Sequence, residues 1–307
     1  MSEALPRLLA MESPFPESHC MLRLLEPPGS CRESLWQRLL EGTYDKPFIV
    51  DSGLRRSLHF NLETVQSTMH LEDPDGLSLA YTRKMMAFLL FNPTPARILL
   101  LGLGGGSLAK FCSRRLPWAA VTAVEVNPDV IALREAFRIP ADSDRFRVIR
   151  ADAAAYLADL GESADVILAD ACDRAGIARQ LGAIEFYRHA HRCLSADGVL
   201  VANMCGSRND CAAHLLKIRA VFDDELVTLP VRADGNVIVL AFKAPRAAID
   251  WDRLAAVAVD LRRRFGLDFP KHVRRMALEW RLRRWEHGVR QASHAGDALP
   301  GRVPLAT

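Results

Sequence analysis

The sequence predicts an α/β chain. It has a mostly parallel sheet covered by helices on both faces, a small β domain ahead of the sheet and a helical tail behind it. Three observations carry this. Short apolar runs alternate with helix-like stretches from Arg97 to about Ala244, as in a sheet buried on both faces. The first run, Arg97-Ile98-Leu99-Leu100-Leu101, leads straight into a glycine turn, Gly102-Leu103-Gly104-Gly105-Gly106-Ser107, that opens a helix. Three of the runs end at or near an acid.

The glycine turn lets backbone approach a ligand closely, often at positive φ, and Gly102, Gly104 and Gly106 are the candidate contacts. The next strand, Ala120 to Val126, carries Glu125 about twenty residues after the turn, where an acid can grip two ribose hydroxyls. Asn127-Pro128 reads as a helix start, with Asn as N-cap and Pro at the first helical position. Arg147-Val148-Ile149-Arg150 is a third strand, ending near Asp152. Asp165 to Asp170 is a fourth, with an acid at its carboxyl end. Ligands of such sheets lie at the carboxyl ends of strands, so Glu125, Asp152 and Asp170 are expected to face one crevice. Gly198 to Asn203 is the fifth strand, between helices at Glu185–Cys193 and Ala212–Phe222. Two late strands, near Leu226–Val231 and Val237–Phe242, flank the turn Asp234-Gly235 as an edge hairpin.

Outside this core, residues 1–43 read as a leader, loose except for a short helix around Leu35 to Leu40. Residues 44–84 hold short β-like pieces at Pro47–Val50, Ser57–Phe60 and Thr64–Thr68, punctuated by Gly53 and Asn61, and read as a small antiparallel β domain. Leu79 to Phe91 reads as an apolar helix stopped by Pro93 and Pro95, so the α/β domain is bounded at 85–244. Residues 245–307 form a basic helical tail, with Lys271, Arg274, Arg275, Arg281, Arg283, Arg284 and Arg290 near Trp280 and Trp285. That composition suits either contact with RNA or an acidic partner, or a helix packed by its apolar stripe with a solvated basic face.

The bulk numbers bound the rest. A chain of 307 residues, 50% hydrophobic, supports one sizeable core and a smaller domain. A net charge of +3 forces no nucleic-acid or membrane partner. Seven scattered cysteines with no Cys-x-x-Cys pair point to reduced thiols and a cytoplasmic setting. No metal-ligand spacing is evident, and no apolar run approaches a membrane span.

In order and spacing these residues resemble the spermidine synthase (polyamine aminopropyltransferase) family, over roughly residues 44–243. Tyr44-Asp45 sits where the family has Tyr-Gln, and Val65-Gln66-Ser67-Thr68 matches its Gln-containing strand end. Tyr81 matches the Tyr of its Tyr-Gln-Glu motif, and Gly102 to Ser107 its glycine motif. Glu125 matches the ribose acid and Asp152 the acid that reads the adenine edge. Asp170-Ala171-Cys172-Asp173 lies over the Asp-Ser-Ser-Asp signature, and Glu185-Phe186-Tyr187 over the Phe-Tyr that follows. The resemblance implies a methyltransferase-like Rossmann sheet behind a small β domain. It also implies decarboxylated S-adenosylmethionine as co-substrate, a small amine such as putrescine as acceptor, no metal, and room for a homodimer. Gln66, Tyr81 and Asp173 would then bind substrate. Four positions depart from the pattern: Asp45, Thr82, Arg174, and Gly105 in place of the Asp that holds the donor's ammonium. The nucleoside half of the motif set is intact and the polyamine half is altered.

A sulfonium donor needs positioning more than covalent help, while an amine of pKa about 10 must lose a proton before attack. Asp170 is the candidate base, and Asp173 can hold a far cationic end. The plainer readings are a strand-end acid or helix N-cap for Asp170, a loop acid for Asp152, and interdomain packing for Tyr81 and Gln66. An S-adenosylmethionine methyltransferase and a silent nucleoside-binding homologue stay open as alternatives. An NAD enzyme fits less well, because Ser107 replaces the third glycine.

Overall fold

The computed structural model describes residues 8–13, 20–161, 164–170, 172–173, 176–177, 182–232, 235–246 and 249–296. At 172–173, 176–177 and 283–296 the description is of the backbone.

A five-stranded antiparallel sheet comes first: β1 (Leu9–Glu12), β2 (Cys20–Leu24), β3 (Phe48–Ser52), β4 (Arg55–His59) and β5 (Val65–His70), paired in chain order. Helix α1 (Arg32–Leu40) lies between β2 and β3 and packs Leu35 and Leu39 with Leu22, Leu24 and Phe48 in a core of their own. This corrects the expectation of a leader over 1–43. The helix is there, but β1 and β2 extend the sheet, β2 pairing residue by residue with β3. In β1 only Leu9 and Met11 are buried, a period-two signal two residues long, and such a short alternation is hard to read from sequence.

Asp51 on β3 ties this sheet together and Arg56 ties it to the rest. Arg23 and Arg56 both donate to the Asp51 carboxylate at 2.7 Å, and the second arm of Arg56 reaches the Ala136 carbonyl at 2.7 Å.

Helix α2 (Ala80–Met85) continues into a 3-10 helix, Met86–Leu90, so the single helix expected at 79–91 changes pitch midway. All five residues of the second part are buried. The large sheet follows: β6 (Arg97–Leu101), α3 (Ser107–Arg115), β7 (Ala120–Glu125), α4 (Pro128–Ala132), β8 (Phe146–Arg150), α5 (Ala153–Asp159) and β9 (Ala164–Ala169). Two short strands, β10 (Cys172–Asp173) and β11 (Gly176–Ile177), pair with each other. Then come α6 (Ile184–Cys193), β12 (Leu194–Met204), α7 (Arg208–Val221), β13 (Leu226–Pro230) and β14 (Val237–Phe242). The tail is α8 (Trp251–Phe265) and α9 (Phe269–Gly296).

The seven strands stand in the order β13-β14-β12-β9-β6-β7-β8, with β14 antiparallel to both of its neighbours and the other pairs parallel. Period-two alternation divides the core. Ile98, Leu100, Val166 and Leu168 face a layer containing α3, α8 and α9, while Leu99, Leu101, Ile167 and Ala169 face α5, α6 and α7. The tail helices therefore belong to the body. Phe265, Phe269, Val273 and Met276 are buried, Trp280 packs against the same core, and Arg274 and Arg281 are exposed. Of the remaining basic and aromatic tail residues, the side chains of Arg283, Arg284, Trp285 and Arg290 lie outside the described residues.

The winding reverses at β6. From there the chain moves out through β7 and β8, then returns to place β9 on the other side. Between the carboxyl ends of β6 and β9 lies the switch point at which such sheets bind their ligands.

Candidate active site

At this switch point is a cavity of about 640 Å³, within the usual size for a small-molecule site. Its floor is the carboxyl edge of the sheet, and β5 with α2 supplies the opposite wall through Val65, Gln66, Ser67, Tyr81 and Thr82.

The glycine turn forms the centre of the floor. Gly102 continues the sheet through its N–H to the Val124 carbonyl at 2.8 Å, at φ +100°, and Gly104 follows at φ +50°. Both line the cavity. Gly106 does not, among the described lining residues. It caps α3 at φ +69°, and a Cβ there would stand 2.4 Å from Ile139, so close packing is what requires glycine. Gly105 also lies behind the wall. Its missing Cβ would fall 2.7 Å from Ser67 Oγ and 3.1 Å from Phe137.

Glu125 ends β7 on the cavity with both oxygens already held. Oε2 accepts from the Leu103 N–H and Oε1 from the Asn127 N–H, each at 2.9 Å. A carboxylate has about four acceptor sites, so about two remain for vicinal hydroxyls, with the group fixed in advance. Asn127 caps α4 through the Asp129 N–H at 2.9 Å, with Pro128 at the helix start. Asp152 lines the cavity and is also the N-cap of α5, its Oδ1 accepting from the Ala155 N–H at 2.9 Å. The plain and functional readings of Asp152 thus coexist, since its second oxygen is left for a ligand.

Asp170 follows β9, its N–H bonded to the Leu101 carbonyl at 2.9 Å. Asn203 Nδ2 donates to its Oδ1 at 2.9 Å, and the Tyr81 side chain also bonds the carboxylate. Burial pushes the Asp170 carboxyl above the usual carboxylate range, and the bonds from Asn203 and Tyr81 work against that rise. A carboxyl so placed is poised to take up a proton. Asp165, at the other end of the same strand, is structural. It accepts from the Ala96 and Arg97 N–H groups at 2.7 and 2.9 Å and from Ser195 at 2.9 Å.

Gly102, Gly104, Glu125, Asp152, Asp170, Gln66 and Tyr81 therefore meet in one cavity. The side chain of Asp173 lies outside the described residues. Tyr44 and Asp45 are elsewhere. The Tyr44 hydroxyl meets Glu26 at 3.3 Å and Asp45 pairs with Arg38 at 3.0 Å. Thr82 bonds the Leu79 carbonyl at 2.8 Å, and Tyr187 is a core residue meeting His214 at 2.7 Å. Asn203, Asn236 and Cys205 also line the cavity, and nothing in the sequence had singled them out. Cys205 is disulfide-bonded, so the seven cysteines are not all reduced thiols as expected. Among the described residues no group of His, Cys, Asp and Glu could hold a metal ion, and no helix is long and apolar enough to cross a membrane.

Comparison with known proteins bears on the family and the fold. The sequence model of the spermine/spermidine synthase domain matches residues 78–239. A polyamine aminopropyltransferase of Chromobacterium violaceum is 40% identical over 229 residues, 74% of this chain and 88% of that protein. One of Neisseria meningitidis serogroup A is 38% identical over 223 residues, 72% and 85% of the two chains. Among solved structures, a probable spermidine synthase from Corynebacterium glutamicum superposes with a TM-score of 0.59 at 23% identity, over 70% of this chain and 84% of that one. Human methyltransferase-like protein 13 in complex with SAH gives 0.56 at 24%, over 61% and 93%. These two likenesses bear on the fold alone.

Proposed function

The chain belongs to the spermine/spermidine synthase family, and from that membership we propose that it transfers an aminopropyl group from decarboxylated S-adenosylmethionine to an amine such as putrescine. One observation carries the proposal. A nucleoside-type grip at Glu125 and a buried, hydrogen-bonded acid at Asp170 open into the same cavity. Glu125 on β7 and Asp170 after β9 are two strand spacings apart, about 10 Å, enough to separate a ribose from the reacting end of a short alkyl chain.

In this reading Glu125 takes the ribose hydroxyls, Gly102 and Gly104 let the donor lie against backbone, and Asp152 meets the base. Gln66 and Tyr81 face the alkyl chain and the amine from the opposite wall. The amine nitrogen attacks the aminopropyl carbon next to sulfur. A C–N bond forms, the C–S bond breaks with its electron pair going to sulfur, and methylthioadenosine leaves neutral. The amine arrives as an ammonium, and Asp170 accepts the proton that must leave nitrogen. Positioning both partners supplies most of the acceleration, because the leaving group needs no protonation. We place the reaction in the cytoplasm.

Gly105 gives a specific reason to test the donor, since no acid stands there for an ammonium. The purified protein is incubated with putrescine and either the decarboxylated or the carboxylated sulfonium, and the amine product is weighed by mass spectrometry. An aminopropylated amine from the decarboxylated donor supports the reading. A methylated product from S-adenosylmethionine replaces it with a methyltransferase.

A further inference from the structure

Asp170 is held through a chain of two amides. Its Oδ1 accepts from Asn203 Nδ2 at 2.9 Å, and Asn203 Oδ1 in turn accepts from Asn236 Nδ2 at 3.0 Å. Each contact spans 33 residues, so the chain joins the ends of three separate strands. Asn203 is near the end of β12 and 5% exposed, and Asn236 precedes β14 with its carbonyl bound to the Val231 N–H at 2.7 Å. An amide has one accepting end and one donating end. Once Asn236 has engaged the oxygen of Asn203, that side chain can present only N–H to Asp170. No lysine or arginine lines the cavity among the described residues, so amide and phenol donors are what face this carboxylate.

We propose that Asn203 and Asn236 are positioning residues for Asp170: Asn236 fixes which end of the Asn203 amide faces inward, and Asn203 holds the carboxylate toward the cavity. The kinetic consequence rests on the aminopropyl-transfer reading, while the geometric one does not. Among the described residues, Tyr81, from α2, is the other side chain bonded to the carboxylate, and Glu125 and Asp152 are the other carboxylates on the cavity. Donation from Asn203 favours the charged form, so losing it makes Asp170 harder to ionise. The acid limb of the rate profile, where activity rises as the base ionises, then moves to higher pH.

The decisive variant is Asn236→Asp, which keeps the shape but has no N–H to give. Asn203 is expected to reverse, donate to the new carboxylate and turn its oxygen onto Asp170. We expect kcat to fall by about 10-fold or more, the lower end of what a positioned general base contributes. KM for the nucleoside donor should stay within about twofold and the acid limb should shift upward. In a cycle with alanine at both positions, the double variant should be no slower than Asn203→Ala alone, because Asn236 acts through Asn203. Additive losses, or an unmoved acid limb in Asn236→Asp, overturn the proposal. A second readout needs no turnover. In pH-difference infrared spectra the Asp170 carboxyl band, identified by its loss in Asp170→Asn, should titrate at higher pH in Asn236→Asp than in wild type. If wild type transfers no aminopropyl group the functional reading fails, and this titration still decides the positioning.

Discussion

Gly105→Asp places a side chain where the resemblance expects an acid and the packing leaves no room. Its Cβ would fall 2.7 Å from Ser67 Oγ, 2.9 Å from Ser67 Cβ and 3.1 Å from Phe137 Cδ1. Ser67 is 6% exposed and Phe137 1%, so neither can swing aside into solvent. Overpacking of this kind costs about 1–3 kcal/mol, and Gly105→Ala should already show it. In a chain of this size that is a fall in Tm of about 2–5 °C, read by thermal denaturation. Ser67→Gly removes two of the three close contacts, so the paired variant Gly105→Asp with Ser67→Gly should melt above Gly105→Asp alone. Ser67 is itself part of the cavity wall, so cutting it back to glycine opens the way from position 105 and lets the new carboxylate reach a donor ammonium. Calorimetry should then show the decarboxylated donor gaining about 1.5–3 kcal/mol over S-adenosylmethionine, the scale of a charge-assisted bond. Refutation would come from Gly105→Ala melting with wild type, or from additive losses in the paired variant, since contacting residues must couple.

Glu125→Gln should weaken methylthioadenosine binding by about 1.5–3 kcal/mol and also lower stability, because one of the N–H groups of Leu103 and Asn127 loses its acceptor. Unchanged affinity by calorimetry would remove Glu125 from the nucleoside site. His272→Leu tests a buried histidine on α9. Burial, then the charge of Lys84, hold its pKa down to about 4, from 6.5, with Asp268 opposing and Lys271 and Arg83 adding to the fall. The folded state keeps His272 neutral, so its stability is complete above about pH 6.5 and is lost as the pH drops toward 4, by about 3 kcal/mol in all. Denaturation curves of His272→Leu should lose that part of the acid slope, and a slope equal to wild type would place the protons elsewhere.

What the sequence disclosed about the fold follows from how locally each feature is encoded. Ile98–Leu101 of β6, Val166–Ala169 of β9 and Val199–Ala202 of β12 are buried on both faces and read as unbroken apolar runs, and β7 shows the same pattern broken by Thr122. The glycine turn, the Asn127-Pro128 cap and Glu125 lie within one β-α-β unit, so their spacing alone placed them. Hairpin strands with one buried face gave a weaker signal. β3, β4 and β5 were legible because Gly53 and Asn61 separate them, but β1 offers only Leu9 and Met11 to the core. The change to 3-10 pitch at Met86 had no marker, since Met86 to Leu90 is apolar all round. At the site, acids on strand ends could be read because topology dictates where such ends lie. Asn203 and Asn236 could not, because each acquires its role from a partner 33 residues away and an asparagine in a strand or turn looks ordinary. Gly106 was legible as a required glycine, but whether it serves a ligand or the packing of Ile139 depends on tertiary contact.

The reaction is tested most directly by turnover of wild type and Asp170→Asn with decarboxylated S-adenosylmethionine over a panel of di- and triamines, with methylthioadenosine affinity measured alongside. Wild type should release methylthioadenosine and an aminopropylated amine together. Asp170→Asn, which keeps the shape and removes the charge, should be slower by about 10²–10⁴-fold with its nucleoside affinity little changed. Equal turnover in the variant would reduce Asp170 to a strand-end acid, and a wild type that aminopropylates no amine would contradict the assignment of the reaction itself.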